Sequence, residues 1–271
     1  NHLRRSGNFD LLPHLEQSAL HDAINSPLQF GDLIVPAGGP FPGETLDGAY
    51  WPWLHQVPQF LCPSQDYERE SQDPGVTNFG FCVGDNSVGP AQGPTRGMFE
   101  PLRGKSLKEV TDGTSRTLAI IELKIGGRVI EFFTLEELLY PSKLTERHPD
   151  KDFQGHTPVP PPLYYGRGRR WMDGAPVYTS VVTILAPNDD SRSNRSVHDL
   201  ADGLYNAGSY HPGSILAAYV DGSVHVIDEN VDNGDLAFTA PSGSYGGPSP
   251  YGVWGEMGSI AGEEVGQSLT R

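Results

Sequence analysis

The stretch HPGSILAAYVDGSVHVI (residues 211–227) decides which kind of fold to expect. Two short apolar runs rich in strand-forming residues flank Asp221 and Gly222. An Asp-Gly pair between such runs is the strongest short-range signal for a two-residue β-hairpin. Glycine accepts the positive φ that the turn needs, and Asp tolerates it. Counting outward from the turn predicts that Tyr219 faces Val224 across the strand pair.

His211 lies beyond the far end of this hairpin, and together with Asp221 and Ser223 it supplies the residue types of a nucleophilic triad. The Gly-x-Ser-x-Gly pattern that presents a nucleophilic serine is absent from the sequence. We therefore favour structural roles, in which Asp221 holds the turn and His211 fastens the entry of the strand. Catalytic residues are not predicted, and hydrolase activity is left as an alternative.

The composition narrows the classes of function. The chain of 271 residues carries 19 Lys and Arg against 34 Asp and Glu, a formal net charge of −15. Nucleic-acid binding needs a phosphate-neutralising surface, so we expect no nucleic-acid partner. The 33 glycines and 24 prolines indicate many turns and loops. Because the sequence begins with Asn rather than Met, we expect it to be a fragment or a processed form of something longer.

The pattern of apolar residues predicts an α+β fold in a single domain, residues 1–271. Apolar residues at helical spacing in residues 9–25 predict an N-terminal helix packed on a mainly antiparallel sheet. Apolar and alternating runs predict strands at TNFGFCVG, RTLAIIELKI, RVIEFF and YTSVVTILAP. Long loops are expected at residues 141–170, which are Pro-rich and then basic, and at residues 239–251, which are rich in Gly, Ser and Pro.

Two short helices carry a further signal at their first turns. Ser106 is followed by Glu109, and Thr134 is followed by Glu137, which is the spacing of a capping box. We expect the hydroxyl and the carboxylate of each pair to bind the free N–H groups at the start of the helix.

The two cysteines, Cys62 and Cys82, are too few for a structural zinc site. A disulfide between them is the preferred interpretation, with two buried free thiols as the alternative. The bond would close a loop of about 20 residues and stabilise the fold by roughly 3 kcal/mol. It would also require an oxidising compartment.

Two other groups of residues are candidate binding sites. Asp228, Asp232 and Asp235 form an acidic segment with oxygen ligands suited to calcium, although an ordinary solvated loop is the alternative. Trp51 and Trp53 lie together in a loop and could form a stacking platform for a glycan, although aromatic residues more often pack in cores. The nine histidines are scattered, with no His-Glu-x-x-His pair, so a zinc enzyme is not expected.

Several stretches, taken in order along nearly the whole chain, resemble the planctomycete prepilin-like family known as domain of unknown function 1559. That family carries a C-terminal signature of His, nine residues and Asp-Gly, which His211, Asp221 and Gly222 match. A second Asp-Gly pair at Asp112 and Gly113 lies in another matching stretch. The other resembling segments are LLPHLEQSALHDAIN, FLCPS, TNFGFCVGD, GRGRRWMDG, LAPND and VWGEMGSIAGEEV.

The resemblance implies a pilin-like or pseudopilin-like head whose N-terminal leader and anchor helix are missing here. It implies an extracytoplasmic location, at the cell surface or in the periplasm, with membrane attachment through that helix in the precursor. The expected function is structural, with like subunits or components of a secretion or pilus system as partners, and without enzymatic activity. An extracellular glycan-binding module or a polysaccharide hydrolase is the alternative. Calcium is the only cofactor that the sequence suggests.

Overall fold

The computed structural model describes residues 4–91, 93–126, 129–146, 166–194 and 199–263. The strands in these ranges are β1 (Leu28–Phe30), β2 (Leu33–Val35), β3 (Phe79–Gly84), β4 (Leu118–Glu122), β5 (Val129–Phe133), β6 (Ser180–Val182), β7 (Ser191–Asn194), β8 (Gly203–Leu204), β9 (Ser214–Tyr219) and β10 (Val224–Asp228). The α-helices are α1 (Asn8–Leu11), α2 (Ser18–Asn25), α3 (Trp51–Leu54), α4 (Leu135–Leu138), α5 (Pro141–Glu146), α6 (Pro176–Thr179) and α7 (Gly252–Gly258). Short 3-10 turns span Leu12–Leu15, Pro58–Phe60 and Leu107–Glu109.

The largest sheet has five strands in the order β10-β9-β4-β3-β6. Its first four strands are antiparallel to one another, and β6 joins β3 in parallel. A three-stranded sheet has the order β5-β7-β8, and β1 pairs with β2. The predicted α+β class is therefore confirmed at this level, as short helices around a mainly antiparallel, mixed sheet.

The hairpin predicted around Asp221 forms, but its register differs by one residue from the prediction. Val224 pairs with Ala218 rather than Tyr219, because the loop has three residues instead of two. Gly222 has φ 85°, and the Gly222 N–H donates to the Tyr219 carbonyl at 3.0 Å. A type I turn followed by a left-handed glycine is the common three-residue hairpin loop.

The new register decides which side chains of the hairpin are buried. Ile215, Ala217, Tyr219 and Ile227 face the core. The opposite face carries the exposed side chains of Leu216, Val224 and Val226.

The predicted N-terminal helix is broken, and its buried residues lie outside the core of the five-stranded sheet. Pro13 lies in the 3-10 turn between α1 and α2, and Glu16 ends that turn with a left-handed φ of 60°. Proline removes a helical N–H, so the pattern of apolar residues continues while the hydrogen bonding does not. The buried residues of this segment pack with Trp53 and Trp171 in a cluster to which no strand of that sheet contributes.

The core beneath the five-stranded sheet is a separate cluster. It joins Cys82, Ile121 and Ala217 to Trp254 of α7. The Trp254 indole N–H donates to the Leu185 carbonyl at 3.0 Å, so this buried aromatic residue has its polar group satisfied.

Both predicted capping boxes are confirmed. The Ser106 and Thr134 hydroxyls accept backbone N–H bonds, and the carboxylates of Glu109 and Glu137 accept from the backbone N–H of each capping residue.

The two long loops predicted from composition have different outcomes. Residues 239–251 contain no helix or strand. Much of 141–170 lies outside the described residues, but α5 occupies its start and Arg167 is fully buried near its end. Within the described ranges, no helix is both long and apolar enough to cross a membrane.

Candidate functional site

Three potential metal ligands from distant parts of the chain meet beside the five-stranded sheet. Cys62 follows a 3-10 turn, Glu122 is the last residue of β4, and His211 precedes β9. The Cys62 Sγ lies 3.4 Å from the His211 Nε2, and the Glu122 Oε1 lies 3.9 Å from the same nitrogen. The three ligand atoms all lie within 4.8 Å of one another. In the part of the chain that the structure describes, no other group of three His, Cys, Asp or Glu residues converges in this way.

Asn78 holds Cys62 against the end of β4. The Asn78 Oδ1 accepts the Cys62 N–H at 2.9 Å, and its Nδ2 donates to the Leu123 carbonyl at 3.2 Å. The backbone of Asn78 adds bonds to Phe60 at 2.8 Å and to Leu123 at 2.8 Å. One fully buried side chain therefore fixes the cysteine loop relative to the strand that carries Glu122.

Glu122 is a buried carboxylate, and one of its two oxygens accepts no hydrogen bond from the described residues. The residue is only 1% exposed, and its Oε2 accepts the Leu216 N–H at 2.7 Å. Its Oε1 is buried and accepts no hydrogen bond within the described residues. A buried charge needs a compensating partner, and this oxygen points at the thiol and the imidazole.

One ring nitrogen of His211, Nε2, faces both the Cys62 thiol and the Glu122 carboxylate. The His211 N–H donates to the Ser209 hydroxyl at 3.2 Å, and the side chain keeps 38% of its surface exposed. A nucleophilic triad would use both ring nitrogens, one for the nucleophile and one for the carboxylate. Here Nε2 faces both partners, which is the arrangement of ligands around a common ion.

One of the distances between ligand atoms agrees with a tetrahedral metal centre, and a second is close to it. Zinc bonds of usual length separate a thiolate sulfur from an imidazole nitrogen by about 3.5 Å, and that nitrogen from a carboxylate oxygen by about 3.4 Å. The sulfur–nitrogen distance of 3.4 Å already agrees. The carboxylate oxygen, at 3.9 Å, would move by about half an ångström to join them.

The predicted disulfide is wrong. Both cysteines are free and buried, and they belong to different surroundings. The Cys82 Sγ lies in the core beneath the sheet, 3.7 Å from the Gly258 carbonyl, and burial raises its pKa to about 12. Cys62 faces Glu122 and His211 instead. Spacing in the sequence could not reveal that β3 directs its cysteine into the core.

The triad residues named from the sequence are not brought together. Asp221 and Ser223 lie in the hairpin loop, separated from His211 by the length of β9, about 20 Å for its six residues. The Asp221 carboxylate accepts the Ser223 hydroxyl at 2.7 Å, and this hydrogen bond lowers the pKa of Asp221. The two signature residues therefore mark opposite ends of one strand.

The second Asp-Gly pair adjoins the first. The Asp221 N–H donates to the Thr114 carbonyl at 3.1 Å, next to Asp112 and Gly113. The Asp112 carboxylate accepts the backbone N–H of Gly262 at 2.6 Å. These contacts are structural, since they link two turns and the segment that follows α7.

Each carboxylate of the acidic segment, which begins at the end of β10, makes its own local hydrogen bond. Asp228, Asp232 and Asp235 each accept the backbone N–H two residues further on, at 2.8, 2.9 and 2.8 Å. Calcium binding there stays a prediction.

The Trp51–Trp53 platform is incomplete as a flat surface. Trp51 is exposed, whereas Trp53 is fully buried against Trp171.

Aromatic and charged side chains lie next to the three ligands. The Tyr210 hydroxyl donates to the Ile125 carbonyl at 3.1 Å, and burial together with the neighbouring Asp66 raises the pKa of Tyr210. The Lys124 Nζ lies 6.0 Å from the centre of the Tyr210 ring. The Arg169 guanidinium lies 5.0 Å from the centre of the Tyr67 ring.

Comparison with known protein families assigns the chain to one of them. The model of a family described as a protein of unknown function (DUF1559) matches residues 3–234. The chain belongs to this family. The matched range contains the three convergent residues and the hairpin turn at Asp221. No curated protein and no solved structure matches the chain.

Glu122 and Asn78 were not predicted as site residues from the sequence. A glutamate that closes the otherwise apolar run Leu118–Ile121 is a signal, because charged residues rarely lie in a central strand without a partner. Asn78 gives no such signal, since its importance comes entirely from tertiary hydrogen bonds.

Proposed function

We propose that this DUF1559 domain binds one divalent transition-metal ion, with zinc as the best match, through Cys62, Glu122 and His211. The observation that carries the proposal is the convergence of three different ligand atoms within 4.8 Å. Thiolate, imidazole and carboxylate are all zinc ligands, and a mixed set of this kind is typical of zinc.

The electrostatics of the site support a cation. A Cys62 thiolate and the Glu122 carboxylate would together neutralise a doubly charged ion, and the neutral His211 imidazole would add a third bond. The ion would also bind the Glu122 Oε1, which accepts no hydrogen bond from the described residues. Asn78, Ser209 and the Leu216 N–H already orient the ligands or their backbones, as outer groups do in metal sites.

Metal content and cobalt spectroscopy test the proposal. We expect one zinc per chain after dialysis, and a sulfur-to-cobalt charge-transfer band in the cobalt-substituted protein. Cys62→Ser should abolish that band, and Glu122→Gln or His211→Gln should weaken metal binding by at least about tenfold. His14→Gln changes an exposed histidine outside the site and serves as the control. Sub-stoichiometric metal in the wild type, or wild-type affinity in His211→Gln, would refute the site.

We also propose that the domain works as an extracytoplasmic interaction protein of the cell envelope, of the planctomycete prepilin-like kind, rather than as an enzyme. The observation that favours an interaction role is the outer strand β10. Val224 and Val226 are 61% and 68% exposed there, beside a strand edge that pairs with no further strand of the described residues. Exposed apolar side chains on a free edge favour pairing with another protein.

The assembly state tests this second proposal. We expect filaments or defined complexes by electron microscopy of the protein isolated from its native envelope. Replacing Val224 and Val226 by Thr should disrupt them while the monomer stays folded. A monomer that binds polysaccharide through Trp51 would instead support the alternative of a glycan-binding module.

A further inference from the structure

We propose that the outer edge of β10 pairs with an extended antiparallel segment of another protein, in which basic residues flank two apolar residues at alternate positions. The inference rests on the interaction role proposed above and names the chemistry of the partner. Its first step is the direction of the backbone groups. The Tyr219 N–H donates to the Ser223 carbonyl at 2.8 Å, and the Glu229 N–H donates to the Gly213 carbonyl at 3.0 Å. The odd-numbered positions in residues 223–229 therefore direct their backbone groups towards β9.

Val224 and Val226 consequently direct their N–H and C=O groups away from β9. Within the described residues, these groups bond to no other segment. An antiparallel strand would make four hydrogen bonds with these two residues. Both side chains are exposed on the outer face of the sheet, where Val226 lies opposite Leu216. A partner strand therefore needs apolar side chains at alternate positions to pack against the two valines.

Carboxylates lie at both ends of this edge. Asp221 is in the loop before β10 and Asp228 is the last residue of the strand, and both are exposed. Hydrogen bonds from the Ser223 hydroxyl lower the pKa of Asp221, and the Asn230 N–H lowers the pKa of Asp228. Both groups are therefore charged at neutral pH, and Glu229 adds a third carboxylate beside them.

Two basic side chains adjoin the edge without balancing these carboxylates. His225 lies between the two ends, with its ring against that of Tyr219. Arg116, in an adjoining turn, lies close enough to Glu256 of α7 to act on its carboxylate. Beyond β10 the acidic segment continues with two more aspartates. With both cations counted, negative charge still predominates, which favours Lys or Arg in the partner.

A second copy of β10 fits the edge less well. Because antiparallel strands run in opposite directions, two paired β10 strands would bring the Asp221 end of one copy towards Asp228 and Glu229 of the other. Like charges facing one another across a strand pair are destabilising. Each chain also carries a formal net charge of −15. The charges therefore favour a basic segment from a different protein.

Three peptides test the inference by calorimetry on the full chain. The basic probe is N-acetylated, C-amidated Lys-Thr-Val-Thr-Val-Thr-Lys, and the acidic control has glutamate in place of both lysines. We expect saturable binding of the basic peptide and about tenfold weaker binding of the acidic one. The third peptide is the basic probe with both valines N-methylated, which removes strand donors but keeps the charge. It should not bind.

Variants locate the binding at the edge. Val226→Pro removes an N–H that points away from β9, so it should abolish binding while the hairpin keeps its ladder. Asp221→Asn combined with Asp228→Asn keeps the local acceptor oxygens and should weaken binding about fivefold. Asp22→Asn, at an exposed carboxylate of α2, is the matched control and should leave binding unchanged.

Several results would overturn the inference. They are no binding of the basic peptide, equal binding of the basic and acidic peptides, and binding of the N-methylated peptide. A reversible dimer in sedimentation that Val226→Pro abolishes would assign the edge to a second copy instead. Native assemblies that the threonine substitutions disrupt, without binding of the basic peptide, would support the interaction role and reject the basic partner. The two proposals therefore fail separately.

Discussion

His211 and Asp221 lie at opposite ends of strand β9, and each is tied to a different neighbour. The His211 Nε2 lies 3.4 Å from the Cys62 Sγ, whereas the Asp221 N–H donates to the Thr114 carbonyl at 3.1 Å. The nine residues that separate them are the six residues of β9 and the three residues that flank the strand. The pattern therefore joins a candidate ligand to the turn that sets the hairpin.

Gly222→Ala should destabilise the hairpin through the backbone alone. Gly222 has φ 85°, and a methyl group there would meet no atom within 4 Å. We expect a loss of about 1 kcal/mol in the free energy of unfolding, measured by urea denaturation. Gly104→Ala is the matched control, because its surroundings are equally open and its φ is not positive. Equal effects in the two variants would contradict the three-residue loop.

Asn78→Ala should weaken both the fold and the metal site. The change removes the bonds to the Cys62 N–H and to the Leu123 carbonyl inside the protein. We expect a loss of about 2–3 kcal/mol in unfolding free energy, together with weaker zinc binding by calorimetry. Asn230→Ala removes an exposed amide that donates to the neighbouring Asp228, and should change neither quantity. Normal zinc affinity in Asn78→Ala would show that Cys62 is positioned by other contacts.

Glu122→Gln should stabilise the metal-free protein and reduce its response to zinc. The substitution keeps the shape of the side chain but removes a buried charge whose Oε1 accepts no bond from the described residues. We expect a gain of about 1–2 kcal/mol without metal. Zinc at about 100 times the wild-type dissociation constant should add about 2.7 kcal/mol to the wild type and at most about 1.4 kcal/mol to the variant. A destabilised metal-free variant would mean that Glu122 already has a compensating partner.

The two thiols should differ in reactivity. Burial raises the pKa of Cys82 to about 12, so little thiolate forms at neutral pH. We expect an alkylating reagent to modify Cys62 first in the native protein, and zinc to protect it. Peptide mapping by mass spectrometry locates the label. Preferential labelling of Cys82, or no protection by zinc, is the contrary result.

Arg167→Lys should be strongly destabilising although it conserves charge. Its buried guanidinium donates to the carbonyls of Pro176, Val177, Ser180 and Asn206, at 2.6–3.3 Å. Lysine cannot reach four carbonyls with this geometry, so we expect a loss of about 3 kcal/mol in thermal or urea unfolding. Arg103→Lys, at an exposed ion pair, should cost less than about 0.5 kcal/mol.

Several elements could be predicted from the sequence, because interactions between residues close in the chain determine them. The Asp-Gly pair between two apolar runs required a hairpin, and Ser106 and Thr134 with their glutamates required capped turns. These signals involve residues only a few positions apart, where turn geometry and hydrogen bonding act directly. The apolar spacing in residues 9–25 was also readable, but it could not show where Pro13 breaks the helix or what the helix packs against.

Tertiary packing decided the rest. An Asp-Gly turn is compatible with a loop of two or three residues, and burial of Ile227 on the same face as Ile215 and Ala217 selected the register. Cys62 and His211 are 149 positions apart, and only the antiparallel order β9-β4-β3 brings their segments to the same end of the sheet. Periodicity and spacing describe neighbours along the chain, whereas a metal site is made by neighbours in space. The sequence therefore specified the hairpin, whereas the folded sheet decided that His211 lies beside Cys62 and Glu122.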